Sequence, residues 1–399
     1  MSKWARAAFG SLYAIPSRNG LTRPSSVRGE GYRMAAMGEI FASDYVGDSD
    51  MDRVRLNERE LGVMMLAEHD LLFARQSLVL SGAGKCSIVK GLSEPTTFES
   101  HLIRVRLASK KANPLFYMYY FHSPVSPMHS IVQQGVQAGI RASDLEALDV
   151  VVPPKEVQDR IADKLSLFDS AIDNARRQSA LLEEAAMRLY REWFDGTGKG
   201  WKRTPVVLAD VLERLGTGLN PRKNFTLGHG ENFYVTIKNM ANNRVYLDSK
   251  CDKVDDEAIR KINRRSDLRK GDVLFSGIGT IGRAYLIAEA PKNWNTSESV
   301  FNLRANSRIT PEFLYMLMLS SKMQQYAMNN ATGCAQKGIR AAALRAYQFD
   351  LAPLIEIEKF TEQVRPMLNA VNDLNKKIDS LTEARDRLLP KLMSGEIEV

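Results

Sequence analysis

The sequence predicts an α+β protein with two mixed domains, each built on a mainly antiparallel sheet, and two long helices that separate the domains and form an antiparallel coiled coil. Three observations support this prediction: a repeat of about 200 residues, β-like runs joined by glycine-rich turns in both halves, and a heptad pattern at the end of each half. The predicted segments are domains at 1–152 and 200–352 and helical regions at 153–199 and 353–399.

The repeat covers nearly the whole chain and keeps one order. Three pieces of the first half match pieces of the second half at offsets of 199 to 202 residues: Leu66–Phe73 with Leu268–Phe275, Gln137–Arg141 with Gln336–Arg340, and Pro153 with Pro353. Three matches in one order at nearly one offset are hard to obtain by chance, so the chain is a duplication of one domain followed by one helix.

Each domain is predicted to contain a hairpin with a glycine-rich tip and a later helix. The expected strands flank the turns Ser81–Lys85 and Gly277–Gly282: Asp70–Arg75 with Cys86–Val89, and Gly271–Ser276 with Arg283–Ile287. Helices are expected at Pro114–His122 and Pro311–Tyr326, since proline favours the first turn of a helix.

The two long helices are predicted from apolar residues spaced alternately by three and four positions. The expected seam consists of Ile161, Leu165, Phe168, Ile172, Leu182 and Leu189 in the first helix, and of Val364, Val371, Leu374, Ile378, Leu381 and Leu388 in the second. Ser179 and Arg385 are the polar members of the two patterns, and we expect a kink or a helix start near Pro366. Two seams of this length in one duplicated chain favour pairing with each other over packing on separate domains.

The charge distribution points to a polyanionic partner. The net charge is +8, and residues 200–352 carry 23 Lys and Arg against 14 Asp and Glu, whereas residues 1–152 carry 17 against 15. No run of 18 apolar residues and no secretory signal are apparent, so we expect a cytoplasmic protein.

No catalytic or metal site is predicted. Gly277–Gly282 has the G-x-G-x-x-G spacing of nucleotide-binding loops, but a β-like run follows where such loops need a helix. Cys86, Cys251 and Cys334 are isolated, and the five histidines lack the spacing of metal ligands. We therefore expect buried or idle thiols and no metal.

The segments quoted so far, together with Ala331–Ile339 and Leu388–Ile397, resemble the specificity subunit of Type I restriction-modification enzymes over essentially all 399 residues. This resemblance implies two target-recognition domains that read the two halves of a bipartite sequence in double-stranded DNA. It also implies two methyltransferase (modification) subunits and a restriction subunit as partners. S-adenosylmethionine, ATP and Mg are then expected on those partner subunits, and this chain is expected to be non-catalytic and to carry no cofactor.

Candidate DNA-binding residues are polar and basic side chains on the predicted loops, because phosphates and base edges are contacted by such groups. In the second domain they are Asn220, Arg222, Lys223, Lys238, Asn239, Asn242, Asn243, Arg244, Thr280, Arg283, Gln336 and Lys337. By analogy, those in the first domain are Arg75, Gln76, Lys85, Gln137 and Arg141.

Two alternatives remain open at this stage. A self-contained DNA methyltransferase with its own recognition domains would bind the methyl donor alone, but no F-x-G-x-G pocket motif is present. A coiled-coil scaffold that does not bind DNA would explain the heptads but not the basic second domain, and salt-sensitive DNA binding would distinguish it from a specificity subunit.

Overall fold

The computed structural model describes residues 4–135, 137–195, 200–333 and 336–398. Within them the chain divides into two compact units. Unit 1 consists of Met1–Asp173 with Ile378–Val399, and unit 2 consists of Asn174–Lys377. Each long helix therefore contributes residues to both units.

Unit 1 contains a mixed domain together with the first part of one long helix and the last part of the other. Its strands are β1 (Ala5–Ala8), β2 (Tyr13–Asn19), β3 (Arg28–Ala35), β4 (Tyr45–Val46), β5 (Arg53–Val54), β6 (Leu71–Ala74), β7 (Gln76–Ser77), β8 (Cys86–Val89), β9 (Thr96–Phe98), β10 (Leu102–Leu107), β11 (Gln133–Gln134), β12 (Ala138–Gly139) and β13 (Asp149–Val152). Its helices are α1 (Met37–Ala42), α2 (Glu58–Val63), α3 (Pro114–His122), α4 (Ala142–Ala147) and the start of α5 (Lys155–Tyr190).

Unit 2 repeats this plan. Its strands are β14 (Thr204–Val207), β15 (Leu212–Thr217), β16 (Asn232–Val235), β17 (Met240–Ala241), β18 (Arg244–Val245), β19 (Asp252–Val254), β20 (Val273–Ser276), β21 (Ala284–Leu286), β22 (Trp294–Thr296), β23 (Val300–Ala305) and β24 (Gln348–Leu351). Its helices are α6 (Asp256–Ser266), α7 (Pro311–Leu319), α8 (Ser321–Asn329), α9 (Ala341–Arg345) and most of α10 (Leu354–Ser394).

The sheets of the two units share one topology. The main sheet has the strand order β2-β10-β6-β8-β4 in unit 1 and β15-β23-β20-β21 in unit 2. A second sheet has the order β5-β3-β9 or β19-β16-β22, and its middle strand pairs antiparallel with one neighbour and parallel with the other. The predicted α+β class with two mainly antiparallel domains and two long helices is confirmed.

Within each unit α5 and α10 run antiparallel. In unit 1 Asp169 contacts Arg385, and the earlier residues Ile161 and Leu165 share a core with the later residue Leu392. In unit 2 the Tyr190 ring lies 6.1 Å from the Phe360 ring. The twelve predicted seam residues are all buried or half-buried, whereas Leu167 and Leu181, which lie off the seam, are 70% and 65% exposed.

Each unit has one main apolar core that joins its sheet to its long helices. In unit 1 the aromatic helix α3 is buried from Phe116 to Phe121 and packs with Phe73 of β6 and Ile161 of α5. In unit 2 Phe275, Phe313 and Phe360 belong to the equivalent core. Burying one large apolar side chain contributes about 1.5–3 kcal/mol, so each domain is fixed to its helix segments mainly by this packing.

One local prediction is wrong, and one of the two possibilities predicted at Pro366 is excluded. The single helix expected over Pro311–Tyr326 is divided into α7 and α8, because the extended backbone of Ser320 (φ −61°, ψ 145°) ends one helix while its hydroxyl accepts a hydrogen bond from Met323 N of the next. No helix starts at Pro366, since α10 begins at Leu354 and continues through it, and the kink that was the other possibility there stays a prediction.

Among the described residues, no helix has the length and apolar character needed to cross a membrane.

Candidate nucleic-acid interface

A buried ion pair marks the same position in both units. Asp70 and Asp272 are 0% and 1% exposed, and each carboxylate accepts two hydrogen bonds from one arginine: Arg106 at 2.6 and 2.7 Å, and Arg304 at 2.7 and 2.8 Å. The Asp70 and Asp272 side chains are held by burial and by two charge-assisted bonds, so they brace the hairpins that follow and are not free for chemistry.

The hairpin that follows each aspartate is closed by matching hydrogen bonds. Ala74 N donates to Lys85 O at 2.8 Å in unit 1, as Ser276 N donates to Arg283 O at 2.8 Å in unit 2. Gly84 and Gly282 both have positive φ, at 79° and 99°, a conformation that favours glycine. Lys85 and Arg283 therefore occupy equivalent positions at the hairpin.

A second chain segment lies beside each hairpin. Ile140 N donates to Arg75 O at 2.9 Å, and Ile339 N donates to Gly277 O at 2.8 Å. These bonds explain why the motif Gln-x-Gly-Ile-Arg is repeated: its glycine and isoleucine pair with the start of the hairpin loop and bring the polar residues before them to the same edge.

In unit 2 four predicted residues line one cleft of about 450 Å³: Lys238, Thr280, Arg283 and Gln336. The Arg283 guanidinium donates to Ile237 O at 2.9 Å and to Met240 O, which fixes the side chain across the cleft. Lys337 is exposed, and its carbonyl accepts a bond from Gly279 N at 2.8 Å. An amide, a hydroxyl and two cations around one cleft are groups that bind base edges and phosphates.

Asn239, Asn243 and Arg244 make contacts inside unit 2. Asn239 is 5% exposed and its side-chain oxygen accepts from Thr236 N at 3.0 Å, so it holds the backbone next to Lys238. Asn243 donates to Glu183 of α5 at 3.1 Å, and Arg244 donates to the carbonyl of Asn375 in α10 at 3.3 Å. These contacts hold the domain on its helix segments.

Asn242 is exposed at the turn between β17 and β18, where its φ of 48° suits asparagine.

A basic surface that the sequence reasoning missed lies on α6. Arg260, Lys261, Arg264 and Arg265 are exposed there, while Ala258, Ile259 and Ile262 of the same helix are buried. The apolar face packs with Leu219, Phe225 and Leu227, on the loop that also carries Asn220, Arg222 and Lys223. The signal was the amphipathic run from 256 to 266, with its cations on one side of the helix. Arg264 and Arg265 also stabilise the end of α6 through its dipole.

In unit 1 the predicted residues divide between two places. Arg75, Gln76, Gln137 and Arg141 lie on or beside the small sheet β11-β12-β7, in which Gln76 pairs with Gly139. Lys85 instead faces a cleft of about 1170 Å³, where its ammonium lies 3.4 Å from the Asp44 carboxylate.

The described residues contain no group of three or more His, Cys, Asp or Glu side chains that could hold a metal ion. Cys86 and Cys251 are free and buried, and burial raises the pKa of the Cys251 thiol to about 11, so neither is a reactive thiolate. Cys334 lies outside the described residues.

Comparison with known families identifies this arrangement. The model of the Type I restriction modification DNA specificity domain matches residues 59–184 and, a second time, residues 199–382. The chain belongs to this family. Each match covers most of one domain and part of the helix that follows, in agreement with the duplication.

Specificity subunits are found among the relatives and among the solved structures. The MjaIX specificity subunit of Methanocaldococcus jannaschii is 22% identical over 65% of this chain and 63% of its own length. The EcoKI specificity subunit of Escherichia coli is 28% identical over 40% of this chain and 35% of its own length. The chain thus spans less than two thirds of these two relatives. The crystal structure of the Type I S subunit from M. genitalium has the same fold, with a TM-score of 0.58 at 14% identity over 98% of this chain and 96% of that one.

Proposed function

We propose that this chain is the DNA-reading subunit of a Type I restriction-modification enzyme and that each unit recognises one half of a bipartite sequence. The observation that carries the proposal is the internal duplication: one topology, one buried Asp–Arg pair and one hairpin edge occur twice, and the specificity-domain model matches once in each half. Two copies of a reading domain in one chain suit a target with two separate parts.

The proposed reading edge in unit 2 is the cleft with Lys238, Thr280, Arg283 and Gln336. Gln336 can accept and donate hydrogen bonds at one base edge, and Arg283 and Lys238 supply positive charge. The exposed cations of α6 are proposed to add phosphate contacts in the same unit. In unit 1 the edge around Arg75, Gln76 and Gln137 takes this role.

The chain itself is proposed to be non-catalytic and to act in the cytoplasm with two methyltransferase (modification) subunits and a restriction subunit. S-adenosylmethionine, ATP and Mg belong to those partners in this proposal. The relatives are named specificity subunits, and the part of this chain that the structure describes holds no candidate metal cluster.

The test is to co-express the chain with its candidate modification subunit and to map methylated adenines across a genome by single-molecule sequencing. We expect a bipartite motif with a fixed spacer that disappears when the chain is omitted. Gln336→Ala should relax one half of that motif and leave the other half unchanged, because the glutamine belongs to unit 2 alone.

Lys359→Ala is the matched control, since Lys359 is an exposed unit 2 residue that bonds to Glu356 within α10. Methylation without a motif, or a motif that both variants leave unchanged, would contradict the proposed reading edge.

A further inference from the structure

The hairpin loop of unit 1 is longer than its counterpart in unit 2. Arg75 and Gly277 are equivalent, and so are Lys85 and Arg283, because their carbonyls accept equivalent hydrogen bonds. Between these positions unit 1 has four more residues, since 75–85 spans 11 residues and 277–283 spans seven. The longer loop contains three consecutive apolar residues, Leu78, Val79 and Leu80, which we name the apolar tip.

The apolar tip is exposed. Leu78 is 86%, Val79 60% and Leu80 54% exposed. In unit 2 the apolar residues of the equivalent turn, Ile278 and Ile281, are half-buried. Burial of three neighbouring branched side chains would be favourable, yet here they remain in water. Such exposure is expected when the residues bury their surface in a partner.

The backbone under the apolar tip is held in place. Val79 N donates to the Ser77 hydroxyl at 3.1 Å, and Gly82 N donates to Val79 O at 3.0 Å. A Cβ on Gly82 would lie 2.3 Å from that same hydroxyl, so the base of the loop is packed closely. The loop therefore presents the apolar side chains in a defined direction.

The surroundings of the apolar tip favour DNA over a protein as the partner. The tip follows β7 directly, next to Arg75, Gln76 and Gln137, whose groups are suited to base edges and phosphates. On its other side Leu80 lines a cleft of mixed character, in which Lys85 and Asp44 lie beside the apolar Met128. A protein partner requires a contiguous apolar patch of several hundred Å², whereas a tip of three apolar residues that directly follows the predicted DNA-contacting residues matches the wedges by which proteins unstack base pairs.

We propose that Leu78, Val79 and Leu80 form a wedge that enters the DNA duplex at the half-site read by unit 1 and unstacks one base step. This inference rests on the proposed function. Unit 2 has no equivalent tip, so the distortion is confined to one of the two half-sites.

The experiment uses the full-length chain and the duplex motif found by methylation mapping, with 2-aminopurine in turn at each adenine of both half-sites. Unstacking raises the fluorescence of 2-aminopurine. We expect a rise at one position in one half-site, and we expect L78S/V79S/L80S to lose that rise and to bind the duplex about ten- to a hundredfold more weakly, as for the loss of one buried apolar side chain.

Because these residues are exposed, the triple variant should keep the circular dichroism spectrum and melting temperature of the wild type. Leu167→Ser is the matched control, because it also removes an exposed leucine from unit 1, on α5. This variant should bind the duplex with the affinity of the wild type and give the same rise in 2-aminopurine fluorescence.

The outcomes separate the two proposals. If the wild type binds its motif but no 2-aminopurine brightens, or if the triple variant keeps the signal, the wedge is wrong and the proposed function stands. If the triple variant binds DNA normally but fails to assemble with the modification subunit, the tip is a protein contact and the wedge is again wrong. If the wild type shows no sequence-dependent, salt-sensitive DNA binding, the proposed function itself fails.

Discussion

Asp272→Ala removes one partner of the buried ion pair that braces the reading hairpin of unit 2. The carboxylate accepts hydrogen bonds from Arg304 Nε at 2.7 Å, from Arg304 Nη2 at 2.8 Å and from Arg269 N at 2.9 Å. The substitution leaves a guanidinium that is 12% exposed without its main counter-charge.

Breaking a buried ion pair on one side costs about 3–5 kcal/mol. Arg304 keeps a bond to the carbonyl of Asp267, and the carboxylates of Asp267 and Glu213 lie 3.6 and 3.7 Å from its Nη1. These partly exposed groups offset some of the loss, so we expect a decrease of about 3 kcal/mol in the free energy of unfolding of unit 2. This is a large part of the total stability of an ordinary domain.

Urea unfolding followed by tryptophan fluorescence measures this decrease, because Trp193, Trp201 and Trp294 belong to unit 2 and Trp4 alone to unit 1. Glu231→Ala is the control: it breaks an exposed ion pair with Lys253 in the same unit and should cost less than about 1 kcal/mol. If Asp272→Ala lowers the free energy of unfolding no more than the control does, the argument that burial makes this ion pair important for stability is refuted.

Three further predictions follow from other contacts. Asp169→Ala should destabilise unit 1 by about 3 kcal/mol in urea unfolding followed by circular dichroism, because the Asp169 carboxylate pairs with Arg385 and accepts bonds from two tyrosine hydroxyls; a loss below about 1 kcal/mol would contradict this. Replacing Arg260 and Arg264 by alanine should reduce the slope of log affinity for DNA against log salt by about 1.8, measured over a salt series, and an unchanged slope would remove α6 from the interface. Burial raises the pKa of Glu183 above its ordinary 4.5, so its contribution to stability is fully present below that value and is lost as pH rises through the raised pKa. Glu183→Gln keeps an oxygen for Asn243 and should reduce the fall in melting temperature as pH rises above 4.5, whereas a profile like that of the wild type would argue against a buried charge.

Local patterns sufficed for much of the fold. Pro114–His122 was predicted with both of its ends, since a proline start and a run of aromatic residues mark a buried helix. The hairpin at Gly277–Gly282 follows from a glycine-rich turn between two apolar, strand-like runs. The break at Ser320 was missed because apolar residues resume after it, at Met323 and Tyr326, and helix periodicity does not report where a backbone turns away.

The candidate site was harder to predict, because residue type does not say what a side chain touches. Asn243 and Arg244 are as polar as Gln336, yet they contact α5 and α10 while Gln336 faces the cleft. The cations of α6 were not predicted, for the opposite reason: they belong to a regular helix, whereas DNA-binding residues were expected on loops.

The sequence by itself determined the duplication, the α+β class, the two heptad helices and the family, because these depend on order, spacing and periodicity along the chain. Only the tertiary structure decided that Asp70 and Asp272 are buried partners of Arg106 and Arg304, and that Leu78 stands exposed while Ile278 is half-buried. Burial and pairing depend on residues far apart in sequence that folding brings into contact.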